Sequence, residues 1–181
     1  FNDHEPSQSS TGLYFTDGST KDYFYGKLGV AAYTIELGTE FFEDCDYFLD
    51  TLLPDNLQTL TYAVKAARAP YMLSKGPDAV DVALDNTSAT VGTAVTLSAT
   101  IDDTRFSANN GIEPTQPIAA AEYYVNVPPW DGGTPVPMGP ADGNFNSPVE
   151  GVTGTIDTTG WSEGQHLIYV RGQDSAGNWG V

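Results

Sequence analysis

The sequence predicts two parts, an α/β fragment over residues 1–75 and an all-β sandwich over residues 76–181. Three observations favour this division. Residues 30–37 form an almost wholly apolar run, an amphipathic helical pattern follows from residue 57, and short β-branched segments separated by turn residues fill the chain from residue 80. Because the composition changes near residues 70–80, and 181 residues suffice for two small domains, we expect the boundary there.

The first part begins with a surface loop and a buried strand. Residues 6–26 are rich in Ser, Thr, Gly and Asp, which is typical of an extended loop. The run 30–37 predicts a strand buried on both faces, as in a parallel sheet, and Gly38 ends it. Glu36 lies inside this run. A buried ionised carboxylate costs several kcal/mol unless it is paired, hydrogen-bonded or opened onto a cleft.

A helix ends the first part. Residues 54–56, Pro-Asp-Asn, offer capping side chains, and the apolar residues Leu57, Leu60 and Val64 then follow the spacing of one helical face. Pro70 closes the helix, because the residue before a proline disfavours helical geometry. We expect this strand, loop and helix to form the end of an α/β domain whose other strands lie outside the chain. Residues 71–79 are a predicted linker.

The second part has the strand pattern of a β-sandwich. Turn signals occur at residues 110–111, 142–143 and 176–178, where Gly and Asn tolerate positive φ. About 100 residues is the size of an immunoglobulin-like module. The ending 169–179 also resembles the final strands of bacterial immunoglobulin-like or fibronectin-type repeats. The predicted strands are 80–84, 94–101, 119–127, 152–156 and 166–170.

The charge excludes several classes of partner. The net charge is −17; residues 1–75 carry 11 acidic and 5 basic side chains, and residues 76–181 carry 13 and 2. Nucleic acids and anionic membranes are bound through clustered Lys and Arg, so we expect neither as a partner. No run of 18 apolar residues occurs, so the sequence predicts no membrane span.

One stretch resembles a known family. Tyr14, in a loop from Gly12 to Gly26, and Glu36, 22 residues later, match the C-terminal active-site stretch of the M14 zinc metallocarboxypeptidases, and the likeness covers about residues 8–71. It implies that Glu36 is the catalytic general base and Tyr14 a mobile tyrosine that folds over substrate. It also implies that Thr34 lies at the floor of the specificity pocket, and that Lys21 occupies the position that selects the C-terminal side chain. A lysine there predicts a preference for acidic or polar side chains.

The same resemblance implies a zinc cofactor that this chain does not itself ligate. In the family the ligands, and the arginines that bind substrate, lie upstream of this stretch. His4 and His166 belong to neither an HxxE nor an HExxH spacing. We therefore expect the chain to be part of a secreted bacterial carboxypeptidase. Its partners are then the C-terminus of a peptide substrate and the missing N-terminal part of the catalytic domain.

The sequence leaves other functions open. One alternative is a peptidase of the same superfamily that acts on peptidoglycan stem peptides, and another is a non-catalytic remnant whose β-sandwich is a binding module. Trp130, Trp161 and Trp179 favour either a sugar-stacking platform or core packing. Carboxylates in candidate loops of the second domain favour either a calcium site or solvated turns. These are Asp102, Asp103, Asp142, Glu150 and Asp174.

Overall fold

The computed structural model describes residue 7 and residues 18–105 and 114–181. The chain divides into two compact units. We call residues 18–70 the helical unit, and residues 71–105 and 114–181 the β unit. Tyr14 and the turn signal at 110–111 lie outside the described residues.

The helical unit contains two stretches of helix. The first is α1 (Thr20–Leu28). The second runs through α2 (Cys45–Tyr47), a π-helical turn (Phe48–Leu52) and α3 (Leu53–Ala66). A four-residue helix, α4 (Pro70–Leu73), comes next in the chain.

Helix α1 corrects the prediction of a loop over residues 6–26. It begins with a capping box, in which Ser19 and Asp22 satisfy each other's backbone N–H groups. It ends at Gly29, which adopts the left-handed conformation at φ 68°. The exposed aromatic residues of this helix follow no clear apolar face, so the periodicity gave no helix signal, whereas its two caps are visible in the sequence.

The prediction of a buried strand over residues 30–37 is wrong. The segment is irregular, Tyr33 is 74% exposed, and Glu36 is exposed as well. A strand needs neighbours to pair its backbone N–H and C=O groups, and the helical unit has no strand among its described residues. The α/β part of the predicted fold is therefore not confirmed.

Helix α3 occupies the predicted place and ends before Pro70, but its start and its environment differ. The helical stretch begins at Asp44, whose carboxylate accepts the N–H of Asp46 at 2.9 Å. Asn56 lies inside the helix instead of capping it, which corrects the predicted capping role of residues 54–56. The predicted apolar face is exposed to solvent, with Leu57 57% and Val64 78% accessible.

The β unit is a six-stranded antiparallel sheet in the order β1-β2-β5-β4-β3-β6. The five predicted strands are confirmed to within a few residues. The predicted linker 71–79 is wrong in part, because it includes most of α4 and the start of β1. The strands are β1 (Asp78–Leu84), β2 (Ala94–Asp102), β3 (Ile118–Val125), β4 (Val136–Pro140), β5 (Val149–Asp157) and β6 (Ile168–Asp174).

Strand β4 was not predicted, and it lies between β5 and β3 and pairs with both of them. Its sequence, VPMGP, contains two prolines and a glycine, which strands disfavour. Its first part pairs with β3 around Met138, and its last two residues pair with β5. The two ends of the sheet also approach each other, because the Ala79 N–H donates to the Val181 carbonyl at 2.8 Å and the Gly180 N–H to the Gly172 carbonyl at 3.1 Å. The sheet is nearly barrel-like.

The core of the β unit follows from alternation along the strands. In β2, every second residue from Val95 to Ile101 is buried, and Leu97 and Ile101 have no accessible surface. Each large aliphatic side chain buried in this way stabilises the fold by about 1.5–3 kcal/mol relative to exposure. The facing residues are Ile118, Ala121, Tyr123, Met138, Val152 and Ile156.

Gly172 of β6 gives a test of this packing. A Cβ atom at Gly172 would overlap the side chain of Ile101, so we expect Gly172→Ala to destabilise the β unit by about 1–3 kcal/mol, as overpacking does. Gly139→Ala is the matched control, since a Cβ there meets nothing within 4 Å. Urea unfolding would measure both variants. Equal midpoints for the two would contradict the packing described.

Candidate functional site

A cavity that is open to solvent on the surface of the helical unit has two of the predicted substrate-binding residues in its lining, together with exposed residues such as Tyr33 and Val30. Lys21 and Thr34 both line it, although 13 residues separate them in the chain, and its volume is 420 Å³. The first turn of α1 supplies one wall and the irregular segment after α1 supplies the other. The remaining lining residues are Thr20, Phe24, Val30, Ala31, Ala32 and Tyr33.

The walls of this cavity carry one charged side chain. The lining includes Lys21 and two threonines, and the other described lining residues are apolar or aromatic. The Nζ of Lys21 is bonded to Ser19, which lies at the edge of this lining and is not part of it. Among the described residues of this lining, Lys21 is the one with a charged side chain, in a chain whose net charge is −17. Such walls suit a ligand that has an apolar stem and a negatively charged or polar end.

Local hydrogen bonds fix the ammonium of Lys21. Its Nζ donates to Ser19 Oγ at 2.9 Å, and Ser19 Oγ in turn donates to Asp22 Oδ2 at 2.8 Å. The Ser19 N–H also donates to Asp22 Oδ2 at 2.9 Å. These hydrogen bonds from Ser19 are the main reason that the pKa of Asp22 is lowered from its ordinary value, and the charge of Lys21 adds to the effect.

Glu36, the predicted general base, is exposed and lies two residues beyond Thr34. It does not line the cavity. Lys21 and Thr34 therefore line the same cavity, whereas Glu36 is close to Thr34 in sequence but is not among the lining residues. Tyr14, the predicted substrate-capping residue, lies outside the described residues.

Asn56 is a residue of this region that sequence reasoning misjudged. It is 6% exposed, and its Nδ2 donates to the Leu37 carbonyl at 3.1 Å and to the Leu52 carbonyl at 2.9 Å. The bond to Leu37 joins α3 to the residue that follows Glu36, and the bond to Leu52 stays within the same helical stretch. A buried Asn within a helix commonly serves such a contact, but the sequence does not reveal which distant carbonyl it meets.

The described part of the chain does not form a metal site. No group of three His, Cys, Asp or Glu side chains comes together among residues 18–105 and 114–181. His166 is engaged on both ring nitrogens, with Asn126 Nδ2 and the Ser162 carbonyl each at 2.9 Å. His4 lies outside the described residues.

The acidic residues proposed for calcium each accept hydrogen bonds from nearby or facing backbone. Asp102 accepts from Thr104, Asp103 from Gln116, and Asp142 from Asn144. Two more behave alike: Glu150 accepts from the N–H groups of residues 146 and 147, and Asp174 from that of residue 178. These bonds order the backbone near each carboxylate, and the calcium site stays a prediction.

The β unit contains a charged cluster that the sequence did not predict. Arg171 Nε donates to Glu122 Oε1 at 2.8 Å, and its guanidinium contacts Tyr124 Oη at 2.7 Å. The same guanidinium lies over the ring of Trp179 at 4.1 Å. The charge imbalance could have indicated this cluster. Arg171 is one of two basic residues among residues 76–181, which carry 13 acidic ones, so a carboxylate partner was to be expected.

The three tryptophans do not share one surface role. Trp179 stacks on Arg171, and Trp161 packs against the core and against His166, with ring centroids 4.5 Å apart. Trp130 is 51% exposed and meets Tyr169 edge to face at 5.8 Å. Two of the three are therefore used in packing, so a platform formed by all three is wrong.

Comparisons with known proteins gave no relative. No protein-family profile matches the chain, and no curated protein and no solved structure is significantly similar to it. Across the ranges that the structure describes, no helix is long and apolar enough to cross a membrane.

Tyr124 provides a pH test of the cluster around Arg171. Burial, together with the hydrogen bond that its hydroxyl donates to Glu122, raises the pKa of Tyr124 to about 12. The neutral phenol is favoured in the folded state, so its contribution to stability is complete below pH 10 and is lost as the pH rises towards 12. Burial also raises the pKa of the neighbouring Tyr123, so ultraviolet titration of the folded protein should show tyrosine ionisation that extends to about pH 12, with Tyr124 contributing at that end.

Tyr124→Phe should remove that late ionisation step. Tyr169→Phe is the control, because Tyr169 lies on the adjacent strand in the same register and should leave the step unchanged. A titration in which Tyr124→Phe matches the unsubstituted protein would contradict this assignment.

Proposed function

We propose that this chain is part of a secreted bacterial zinc metallocarboxypeptidase that releases C-terminal residues from peptides. The observation that carries the proposal is the shared cavity of Lys21 and Thr34. Both residues match specificity-pocket positions of the M14 family, and they come from segments that the sequence alone does not join. A cavity of 420 Å³ is of the size that accepts one amino-acid side chain with its immediate backbone.

In this proposal, Glu36 transfers the proton. A general base takes a proton from the attacking water and later gives it to the leaving amine, and a carboxylate suits both steps. Glu36 is exposed, so water reaches it. Tyr14 would cover the bound substrate, and Thr34 would contact the C-terminal side chain.

The described residues of this chain do not fit a zinc site, because no group of three suitable ligands forms among them. In our proposal the metal ligands belong to the part of the parent enzyme that lies outside this chain. The side chains of Tyr14, Lys21, Thr34 and Glu36 would then bind and orient the peptide and move a proton.

The surface of the helical unit supports a larger parent domain. Large apolar side chains of α3 and of the π-helical turn face solvent, including Phe48, Leu57 and Val64. Exposed apolar surface of this extent is typical of a face that another element covers. The missing N-terminal part of the catalytic domain would supply that cover.

The β unit would serve as an immunoglobulin-like accessory domain. Its six antiparallel strands enclose one apolar core, and strand β4 passes between the two halves of the sheet. Antiparallel β domains of this size resemble the repeats that follow many secreted hydrolases.

Glu36 tests the reaction directly. In the parent enzyme, Glu36→Gln should lower kcat by about 10²–10⁴-fold, the usual contribution of a general base, because the amide cannot take a proton. Steady-state release of a C-terminal residue measures kcat, and elemental analysis checks that zinc stays bound. Glu40→Gln is the matched control, since Glu40 is also an exposed glutamate of the same segment. Full activity of the Glu36→Gln enzyme would refute the proposal.

Lys21 tests the specificity. The wild-type enzyme should prefer peptides that end in an acidic or polar residue, and Lys21→Glu should shift the preference towards Lys and Arg, because the charge in the cavity is reversed. Lys27→Glu changes the net charge equally on the same helix but does not line the cavity, so it should leave the preference unchanged. Ratios of kcat/KM for a peptide series measure the effect. Efficient cleavage of Arg-terminated peptides by the wild type would exclude this specificity.

A further inference from the structure

We propose that Ser19 is a positioning residue, which holds the Lys21 ammonium against the cavity so that the cavity takes a carboxylate-bearing C-terminal side chain. This inference rests on the proposed carboxypeptidase function. Ser19 itself does not line the cavity, so we assign it no contact with substrate. Its effect would be exerted through Lys21.

The hydrogen bonds among Lys21, Ser19 and Asp22 define which group donates and which accepts. The Ser19 hydroxyl has one proton, and it donates that proton to Asp22 Oδ2 at 2.8 Å. The lone pairs of Ser19 Oγ then accept from Lys21 Nζ at 2.9 Å. Lys21 donates, Ser19 relays and Asp22 accepts, so the charge on Asp22 orients the hydroxyl that the ammonium meets.

The same pattern explains how Lys21 keeps a charge available for a ligand. An ammonium has three N–H donors, and the bond to Ser19 uses one of them. Asp22 interacts with Lys21 through the serine, and no direct ion pair shorter than 4 Å joins Lys21 to a carboxylate among the described residues. The neighbouring carboxylate therefore fixes the ammonium without occupying its remaining donors.

A fixed ammonium matters because a free lysine side chain is mobile. The lysine side chain has many rotamers in solution, and it loses this conformational freedom when its position is fixed. If Ser19 imposes part of this order before substrate arrives, less of it opposes binding. We therefore expect Ser19 to affect acidic substrates and to leave substrates without a negative side chain unaffected.

The test compares two nearly isosteric substrates in the parent enzyme, one peptide ending in Glu and the same peptide ending in Gln. Ser19→Ala should lower the Glu-to-Gln ratio of kcat/KM by about five- to tenfold, mainly through a higher KM for the Glu peptide, as loss of one hydrogen bond to a charged group allows. Ser19→Thr retains a hydroxyl and should restore most of the ratio.

Ser19→Gly separates positioning from helix capping. Glycine is tolerated at an N-cap nearly as well as serine, but it has no hydroxyl to meet Lys21. The Ser19→Gly enzyme should therefore show the same lowered ratio as Ser19→Ala. A general loss of helix structure would instead lower kcat/KM for both peptides equally, and that result, or an unchanged ratio in both variants, would overturn the inference.

A second measurement does not depend on catalysis. Competitive amine labelling followed by peptide mass analysis reports how freely each lysine reacts, and Ser19→Ala should raise the labelling rate of Lys21 relative to Lys27. If the parent releases no C-terminal residue from any peptide, the proposed function fails, but this rate still tests the contact. An unchanged rate would overturn the positioning role on its own.

Discussion

Burial of every second residue along β2 and β5, against apolar residues of the other strands, is the interaction on which the β unit depends. Leu97, Ile101 and Val152 lie at its centre with at most 1% of their surface exposed, and the remaining core residues surround them. The close approach of Gly172 to Ile101 belongs to the same packing. Hydrophobic burial is non-directional, so the strand register supplies the order. β2 and β5 pair along their whole length without a shift.

The helical unit rests on a different kind of interaction. Its described residues bury few side chains, and local hydrogen bonds hold its parts: the capping box of Ser19 and Asp22, the Asp44 cap, and the bonds from Asn56 to two carbonyls. Capping interactions contribute about 0.5–2 kcal/mol each, which does not replace an apolar core. The exposed apolar faces of this unit are consistent with a larger folded context.

Several of the few cations in the chain have specific partners. In the β unit, Arg171 pairs with Glu122 and stacks on Trp179, and Arg105 pairs with Asp78 at 2.9 Å. In the helical unit, Lys21 is held by a serine and keeps donors for a ligand. In a molecule of net charge −17, the position of Lys21 in the lining of the cavity is the basis of the acidic preference proposed above.

Sequence alone determined five of the six strands of the β unit, because alternation and Gly, Asn and Asp turns are local signals. It missed β4, whose prolines oppose strand propensity and which only pairing with β3 and β5 holds extended. It also predicted a strand over residues 30–37 from their apolar composition. Among the described residues, the helical unit has no strand with which this segment could pair. A family resemblance pointed to Lys21 and Thr34. That they line one cavity depends on the path of the chain after α1 ends at Gly29, and only the tertiary structure shows that path. The sequence specifies which side chains are present, whereas the folded path of the backbone sets the distance between two of them.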